Sequence, residues 1–458
     1  MFSSCHIYKS YNVKKTFRTL LLFVLTVIST TVDAQGLHQW SLRECIDYAL
    51  ANNISIKQKD VICKERAIDV NTAKYNRLPD LNAEGSQRWT FGRGITSDNT
   101  YSDNNVATTT LGLSTSIPLF SGFKIPRMLE LSKLNLEAAT SDLQKARNDI
   151  CVQVAQAYVR ILYDMELSDV AMRQVSIDSM QVERLRSMYE EGKVSGVEVA
   201  QQESQLGQSR LTLTQARNDY HMDLLSLAQL LELPSTDNFA IVRPDINAID
   251  VISGAVMPTP NEIYNEAIVV KPEIAAGIYR LRGAETNVKV AKSSLFPTLS
   301  FVAGIGTQYF KMNGMPSNSF KKQINNNFDQ YFGVNLSVPI FNRFSTRNNI
   351  RIARLDVESR QLELDDAKKN LYKEIQQVCC NAVAARSKYE SSNEAARSSR
   401  VAYELVEAKY TYGKATITEF NEAKTNWLKA ESDVVRAKYE FMYDKALIDF
   451  YRGCDINF

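Results

Sequence analysis

Four short stretches of this chain alternate between apolar and polar positions, and two much longer stretches repeat apolar residues every seven. Leu111, Leu113, Thr115, Ile117 and Leu119 fall on one face of an alternating run, with Thr110, Gly112, Ser114 and Ser116 on the other. Phe332, Val334, Leu336, Val338 and Ile340 form the equivalent face further along. Each run follows an earlier one: Leu81, Ala83, Gly85, Gln87, Trp89 and Phe91, then Leu299, Phe301, Ala303, Ile305, Thr307 and Tyr309. Period two predicts β-strands with one apolar face. The segments between paired strands, 93–107 and 311–329, are rich in Asn, Ser, Asp and Gly and predict exposed loops. After Gly122 the period changes. Leu129, Leu136, Leu143, Ile150 and Ala157 are spaced by seven, as are Ile350, Val357, Leu364, Leu371, Val378 and Ala385. No helix breaker intervenes from Pro126 to Gly192, or from Phe344 to Gly413. Each stretch therefore predicts a helix of roughly 68 residues, ~100 Å at 1.5 Å per residue. Sustained period seven means helices packed along their length as a coiled coil. Small residues at Ala139, Ala146, Ala353 and Ala367 allow close approach.

These elements occur twice. Tyr189-Glu-Glu-Gly192-Lys193 recurs as Tyr410-Thr-Tyr-Gly413-Lys414, and Ser116-Ile-Pro118-Leu-Phe120 as Ser337-Val-Pro339-Ile-Phe341, both offset by 221. Leu78-Pro79-Asp-Leu81 recurs as Phe296-Pro297-Thr-Leu299 at 218. The difference of three places a longer loop in the second half. Each half reads helix, strand, loop, strand, long helix, tight turn, returning helix. The expected organisation is a first repeat over 35–233, a linker over 234–260 containing four prolines, a second repeat over 261–452 and a tail over 453–458.

Residues 1–34 read as a secretory signal: a basic region (Lys14, Lys15, Arg18), a short apolar run from Leu20 to Ile28, and Val32-Asp33-Ala34 before Gln35. Cys5 precedes the basic region, so no lipidated first residue is expected. Removing this segment takes four basic residues and one acid from totals of 54 and 52, leaving a net charge of −1. Neither a nucleic-acid partner nor strong electrostatic steering is expected. Six cysteines remain. Cys45 and Cys63 on one straight helix would lie ~27 Å apart, beyond bridging distance, so the cysteines read as small packing residues. No cofactor, metal spacing, phosphate loop or Ser/His/Asp constellation is visible, which argues against an enzyme.

Strands of ~10 residues match transmembrane β-strand length. Four strands cannot close a barrel, and an open edge cannot sit in lipid. Several chains must contribute, and three would give twelve strands. Asn82, Glu84, Ser86, Arg88, Thr110, Ser114 and Ser116 would line a wet lumen. Phe120, Phe123, Phe341 and Phe344, where strand becomes helix, read either as an interfacial girdle or as ordinary core packing. A soluble periplasmic coiled-coil or adaptor-like protein is the competing reading, though it leaves the paired alternating strands unexplained.

The repeated strand–strand–long-helix order and the duplicated Y-x-x-G-K turns resemble the outer-membrane efflux protein family, the TolC-type exit ducts. The resemblance implies a mixed fold of membrane β-barrel and long α-helical coiled-coil barrel. A homotrimer would form a twelve-stranded barrel continued by a twelve-helix periplasmic tunnel. It implies a periplasmic adaptor, an inner-membrane transporter and outer-membrane lipid as partners, in an efflux or type I secretion system. It places Gly192, Lys193, Gly413 and Lys414 at the helical tips that meet the adaptor. Glu419 and Glu422 match the acidic residues that ring the constriction, with Glu198 and Gln201 as first-repeat counterparts. Such a ring would favour cations and raise the glutamates' own pKa by mutual repulsion. The bland alternative for these glutamates is a solvated helix face. Tyr410 matches a tyrosine that links neighbouring hairpins, with Glu198 as partner. The family's arginine near this turn is absent at the matched Ala415.

Overall fold

The protein is described here by a computed structural model covering residues 38–95, 99–103, 105–236, 239–244, 257–312 and 316–456. The signal segment expected over 1–34 lies outside the described residues. The first half comprises β1 (His38–Trp40), α1 (Leu42–Asn52), α2 (Ile54–Tyr75), β2 (Asn82–Thr90), β3 (Arg93–Ile95), β4 (Tyr101–Asp103), β5 (Val106–Ser121), α3 (Lys124–Glu190) and α4 (Gly196–Leu230). The second comprises β6 (Phe239–Ile241), α5 (Pro260–Val270), α6 (Pro272–Ser293), β7 (Thr298–Met312), α7 (Phe320–Asn326), β8 (Asp329–Ser337), α8 (Ser345–Thr411) and α9 (Ile417–Tyr451).

The main sheet is antiparallel, in the order β2-β5-β7-β8, so the inner pair β5–β7 joins the two repeats. Its register carries the predicted alternation across all four strands. Ala83 faces Leu113, Leu113 faces Ile305, Ala303 faces Phe332 and Phe301 faces Val334. One parity is therefore mainly apolar, with exceptions such as Gln87, Thr109, Thr115, Thr307 and Gln330, and the other is mainly polar or glycine. The apolar face is bare in the single chain: Phe332, Val334 and Leu336 are 83%, 62% and 61% exposed. Among the described residues no helix is long and apolar enough to cross a membrane.

The strands differ in length from expectation. β5 and β7 run to 16 and 15 residues, whereas β2 and β8 have nine. Pro118 stays within β5 opposite Ser300, at the cost of a register shift before Phe120. Pro339 lies outside β8, because β7 begins at Thr298 and its partner Ser337 is the last paired residue. Val338 and Ile340, expected on the strand, therefore lie beyond it. The expected loops also hold short elements, the β3–β4 hairpin in one and α7 in the other.

α3 and α8 are each 67 residues long. In α8 the seam at Ile350, Leu364, Leu371, Val378 and Ala385 is buried, as is Ile150 in α3. Next to the sheet the helices stand side by side in the order α2, α3, α6, α8. Beyond them α3 pairs with α4 and α8 with α9, and α9 also packs on α3.

The straight helix expected to carry both Cys45 and Cys63 is broken at Asn53. That residue ends α1 with extended backbone (ψ 130°) and caps α2, its side chain accepting from Ser55 N–H at 2.9 Å. Its amide also donates to the Leu230 carbonyl. Lys271 makes the same break, 218 residues on, between α5 and α6 (ψ 124°). All six described cysteines are unbridged. The segment expected as a plain linker contains β6, which pairs in parallel with β1. Tyr158 Oη donates to the Val242 carbonyl at 2.6 Å and fixes this pair against α3.

Candidate functional site at the helical tips

Both long helices end in the same turn. The Lys193 N–H donates to the Met188 carbonyl and the Gly192 N–H to that of Tyr189; Lys414 and Gly413 repeat this on Lys409 and Tyr410. Gly192 and Gly413 take φ of +71° and +69°, the left-handed conformation such a helix end needs. A Cβ at either would meet nothing within 4 Å, so backbone conformation alone selects glycine. Lys193 pairs with Glu191 at 2.5 Å on the surface, and Lys414 is exposed.

The predicted gate glutamates sit just past these turns, and the structure gives two of them local work. Ser195 and Thr416 are N-caps, and Glu198 and Glu419 are the third residues of α4 and α9. Glu419 accepts from Thr416 N–H at 2.7 Å and from its hydroxyl at 3.1 Å, while Thr416 Oγ1 accepts from Glu419 N–H. This reciprocal box satisfies two free donors of the helix end. The Thr416 backbone N–H, with its hydroxyl, holds the Glu419 carboxyl below the usual carboxylate range. Within one chain the shift thus opposes the rise expected from a ring of carboxylates. At the first tip the Ser195 hydroxyl donates to Glu198 at 3.2 Å and accepts from the Glu198 N–H at 3.4 Å, without the backbone N–H bond that completes the box at Thr416. Glu422 lies one turn further along α9 and is exposed.

Tyr410 stacks on Phe420 (5.0 Å between centroids) and lies under the Arg184 guanidinium at 5.4 Å. Burial raises its pKa; Arg184 opposes this, and the Glu198 charge adds to it. The structure therefore brings Tyr410 and Glu198 into electrostatic range. The tip is held by a small core of Leu185, Tyr403, Ile417 and Phe420, on which Tyr410, Val194 and Trp427 pack.

Sequence reading missed a buried polar cluster behind the tip. Asp178 on α3, Gln202 and Ser209 on α4, and Lys424 on α9 are all fully buried. Lys424 Nζ pairs with Asp178 Oδ1, which also accepts from Gln202 at 3.1 Å. Ser209 donates to Asp178 Oδ2. Asn421 links the two sides, donating to Gln202 Oε1 at 3.0 Å and accepting from Lys424 at 3.1 Å. A signal was present. At the offset of 221 these residues correspond to Ser399, Ala423, Ala430, Glu203 and Ala200, so all five break the repeat.

At the other end of the long helices, the four predicted aromatics form two equivalent pairs. Phe120 meets Phe123 edge-on at 5.3 Å, and Phe341 meets Phe344 at 5.5 Å. Phe123 and Phe344 begin α3 and α8 in the left-handed region, φ 63° and 61°. The rings remain exposed, Phe341 at 71% and Phe344 at 57%, so the pairs are not core packing within the chain.

The family model described as "Outer membrane efflux protein" matches residues 45–232 and 263–447. The chain is 21% identical over 416 residues to the toluene efflux pump outer membrane protein TtgF of Pseudomonas putida, covering 88% of this chain and 80% of that protein. It is 21% identical over 407 residues to the cation efflux system protein CusC of Escherichia coli, covering 87% and 83%. Among solved structures, the Campylobacter jejuni CmeC outer membrane channel superposes with a TM-score of 0.73 at 20% identity, covering 91% of this chain and 87% of that one. The outer membrane protein VceC of Vibrio cholerae gives 0.74 at 18%, covering 91% and 97%. With two matched repeats, a membrane-ready sheet and two helical hairpins, the chain belongs to the outer membrane efflux protein family.

Proposed function

We propose that three copies of this chain form an exit duct through the outer membrane, fed by an inner-membrane transporter through a periplasmic adaptor. The observation that carries the assembly is a pair of unpartnered seams on opposite edges of the chain. On α2, Ile54, Val61, Ile68 and Tyr75 recur every seven residues and are 53%, 52%, 63% and 55% exposed. On α8, Leu355 and Leu362, seven residues apart, are each 64% exposed. Between the described residues neither seam has an intrachain partner. Strand edges lie on the same two sides, since α2 leads into β2 and α8 follows β8. Packing α8 of one copy on α2 of the next covers both seams and pairs both open edges, as lipid requires. Three copies supply twelve strands, within the usual range for such barrels.

The polar face of the sheet, with Glu84, Arg88 and Ser114, then lines the bore. The tips around Gly192 and Gly413 form the periplasmic mouth and the adaptor contact. Glu419, Glu422, Glu198 and Tyr410 stand where the mouth narrows and act as its gate, favouring cations. The chain is exported with its first 34 residues removed and no lipid added. Support for the gate is positional, and its test separates charge from capping. Glu419→Gln keeps a residue able to complete the Thr416 box, and Glu422→Gln touches no cap. Both together should reduce block by divalent cations and alter single-channel conductance in planar bilayers. Unchanged block and conductance would remove the gate assignment while leaving the duct intact.

A further inference from the structure

The first three turns of α8 carry a row of arginines without carboxylates to match. Arg347, Arg351 and Arg354 each follow a residue buried against α6 (Thr346, Ile350 and Ala353), and Arg343 precedes them at the junction. All four are exposed. Among the described residues none makes an ion pair or hydrogen bond, whereas the next arginine, Arg360, is paired with both Asp356 and Glu363. The first repeat has no such row: the positions 221 earlier are Gly122, Pro126, Glu130 and Lys133. Lys289 and Lys292 are exposed in the last two turns of α6, the helix on which α8 packs, and Lys289 also lies within electrostatic range of Glu130 on α3.

The hand of the sheet fixes which way this row faces. Ser116 lies on the polar face, and its carbonyl accepts from Asp80 N–H on the β2 side at 3.1 Å. For an L-residue, that puts β2 left of β5 when the sheet is seen from its apolar face with the helices upward. β8 is then rightmost, and α6 stands to the left of α8. A right-handed helix rising from β8 turns the residue after each α6 contact roughly 100° toward that viewer. Arg347, Arg351 and Arg354 therefore continue the apolar face upward, beyond the end of the sheet. Asn349 and Asp356 take the opposite flank and line a cleft with Asn287 and Ser294 of α6. Side chains on a helix also lean toward its N-terminus, here toward the sheet.

We infer that Arg343, Arg347, Arg351 and Arg354, with Lys289 and Lys292, form a belt that binds anionic phospholipid headgroups in the periplasmic leaflet of the outer membrane. The partner follows from continuity and charge. The belt begins beside Phe341 and Phe344 and extends the apolar face by ~16 Å at 1.5 Å per residue. Arginine forks onto phosphate oxygens, and basic residues beside a bilayer attract acidic lipid over about one Debye length. The inference rests on the sheet lying in the bilayer, which membrane fractionation and heat-modifiable migration test separately.

The experiment reconstitutes the full-length oligomer in nanodiscs of phosphatidylethanolamine with and without phosphatidylglycerol. Lipids retained on the released protein are then counted by native mass spectrometry. Wild type should retain phosphatidylglycerol preferentially, with roughly fivefold enrichment for each engaged charge, falling as salt rises. Changing the four arginines to glutamine should abolish the preference, and changing them to lysine should keep most of it. Arg360→Gln, already paired, should have no effect. Equal retention of both lipids by wild type, or a preference insensitive to salt, would overturn the inference even if the glutamine variant failed to assemble. Loss of binding to isolated peptidoglycan in the glutamine variant, with lipid preference unchanged, would instead assign the belt to the cell wall.

Discussion

Replacing Lys424 by methionine should loosen the helical tips without dissolving the rest of the molecule. The side chain spans from α9 to Asp178 on α3 and is fully buried, as is its partner. Methionine fills a similar volume but leaves the Asp178 carboxylate with only Gln202 and Ser209 as donors. Removing one partner of a buried ion pair costs about 3–5 kcal/mol, because an uncompensated charge remains. At 1.4 kcal/mol per factor of ten, that is roughly a 10²- to 4 × 10³-fold larger open population. Native-state hydrogen exchange reads this directly. Amides of 178–210 and 417–428 should exchange faster by about that factor, and those of β5 and β7 should not change. The double variant Lys424→Met/Asp178→Leu removes both charges and should recover most of the protection, since an apolar replacement of the pair is close to neutral. Exchange unchanged in Lys424→Met, or a double variant worse than either single, would refute the reasoning.

Asp164 gives a pH test: burial, then the neighbouring Asp223, push its carboxyl up to about 7. The folded form therefore holds a proton that the unfolded chain releases near pH 4, so stability should fall as pH rises from about 4 through 7. Asp164→Asn should flatten that slope in denaturant titrations between pH 5 and 8, and an unchanged slope would clear the residue. Gly122→Ala should lower the yield of assembled protein on heat-modifiable gels, because a Cβ there runs into the Ser293 carbonyl oxygen and φ is +62°; the strain should exceed about 1 kcal/mol. Gly192→Ala and Gly413→Ala meet no such obstacle and should each cost only about 1 kcal/mol, read as a small shift in the denaturation midpoint.

The strands, the long helices and their duplication were legible because each depends on a local period. Alternating runs such as Leu111–Leu119 and Phe332–Leu336 declare a sheet face, and sevenfold spacing from Ile350 declares a seam. The cap at Asn53 was not legible, since a single asparagine inside a helical pattern is no breaker until Leu230 supplies a carbonyl for its amide. β6 escaped for a related reason: Phe239–Ile241 is too short to show a period, and only pairing with β1 makes it a strand. At the tips the glycine turns were plain. Glu419 could be placed, but its carboxylate's commitment to Thr416 is a matter of geometry. The Lys424 cluster is assembled from three helices far apart in sequence, so only its departure from the repeat was visible.

The two repeats are not consecutive units. The core that holds Leu42, Ile46 and Val154 also contains Val435, Tyr439 and Ala446 of α9, and β1 waits for β6 two hundred residues later. A chain delivered across the inner membrane from its N-terminus therefore cannot finish its first half when that half arrives. The 67-residue helix α3 keeps part of its core uncovered until α9 arrives. The core around Leu42 and Val154 is thus complete only when α9 is in place, so the last helix of the chain closes the first repeat as well as its own.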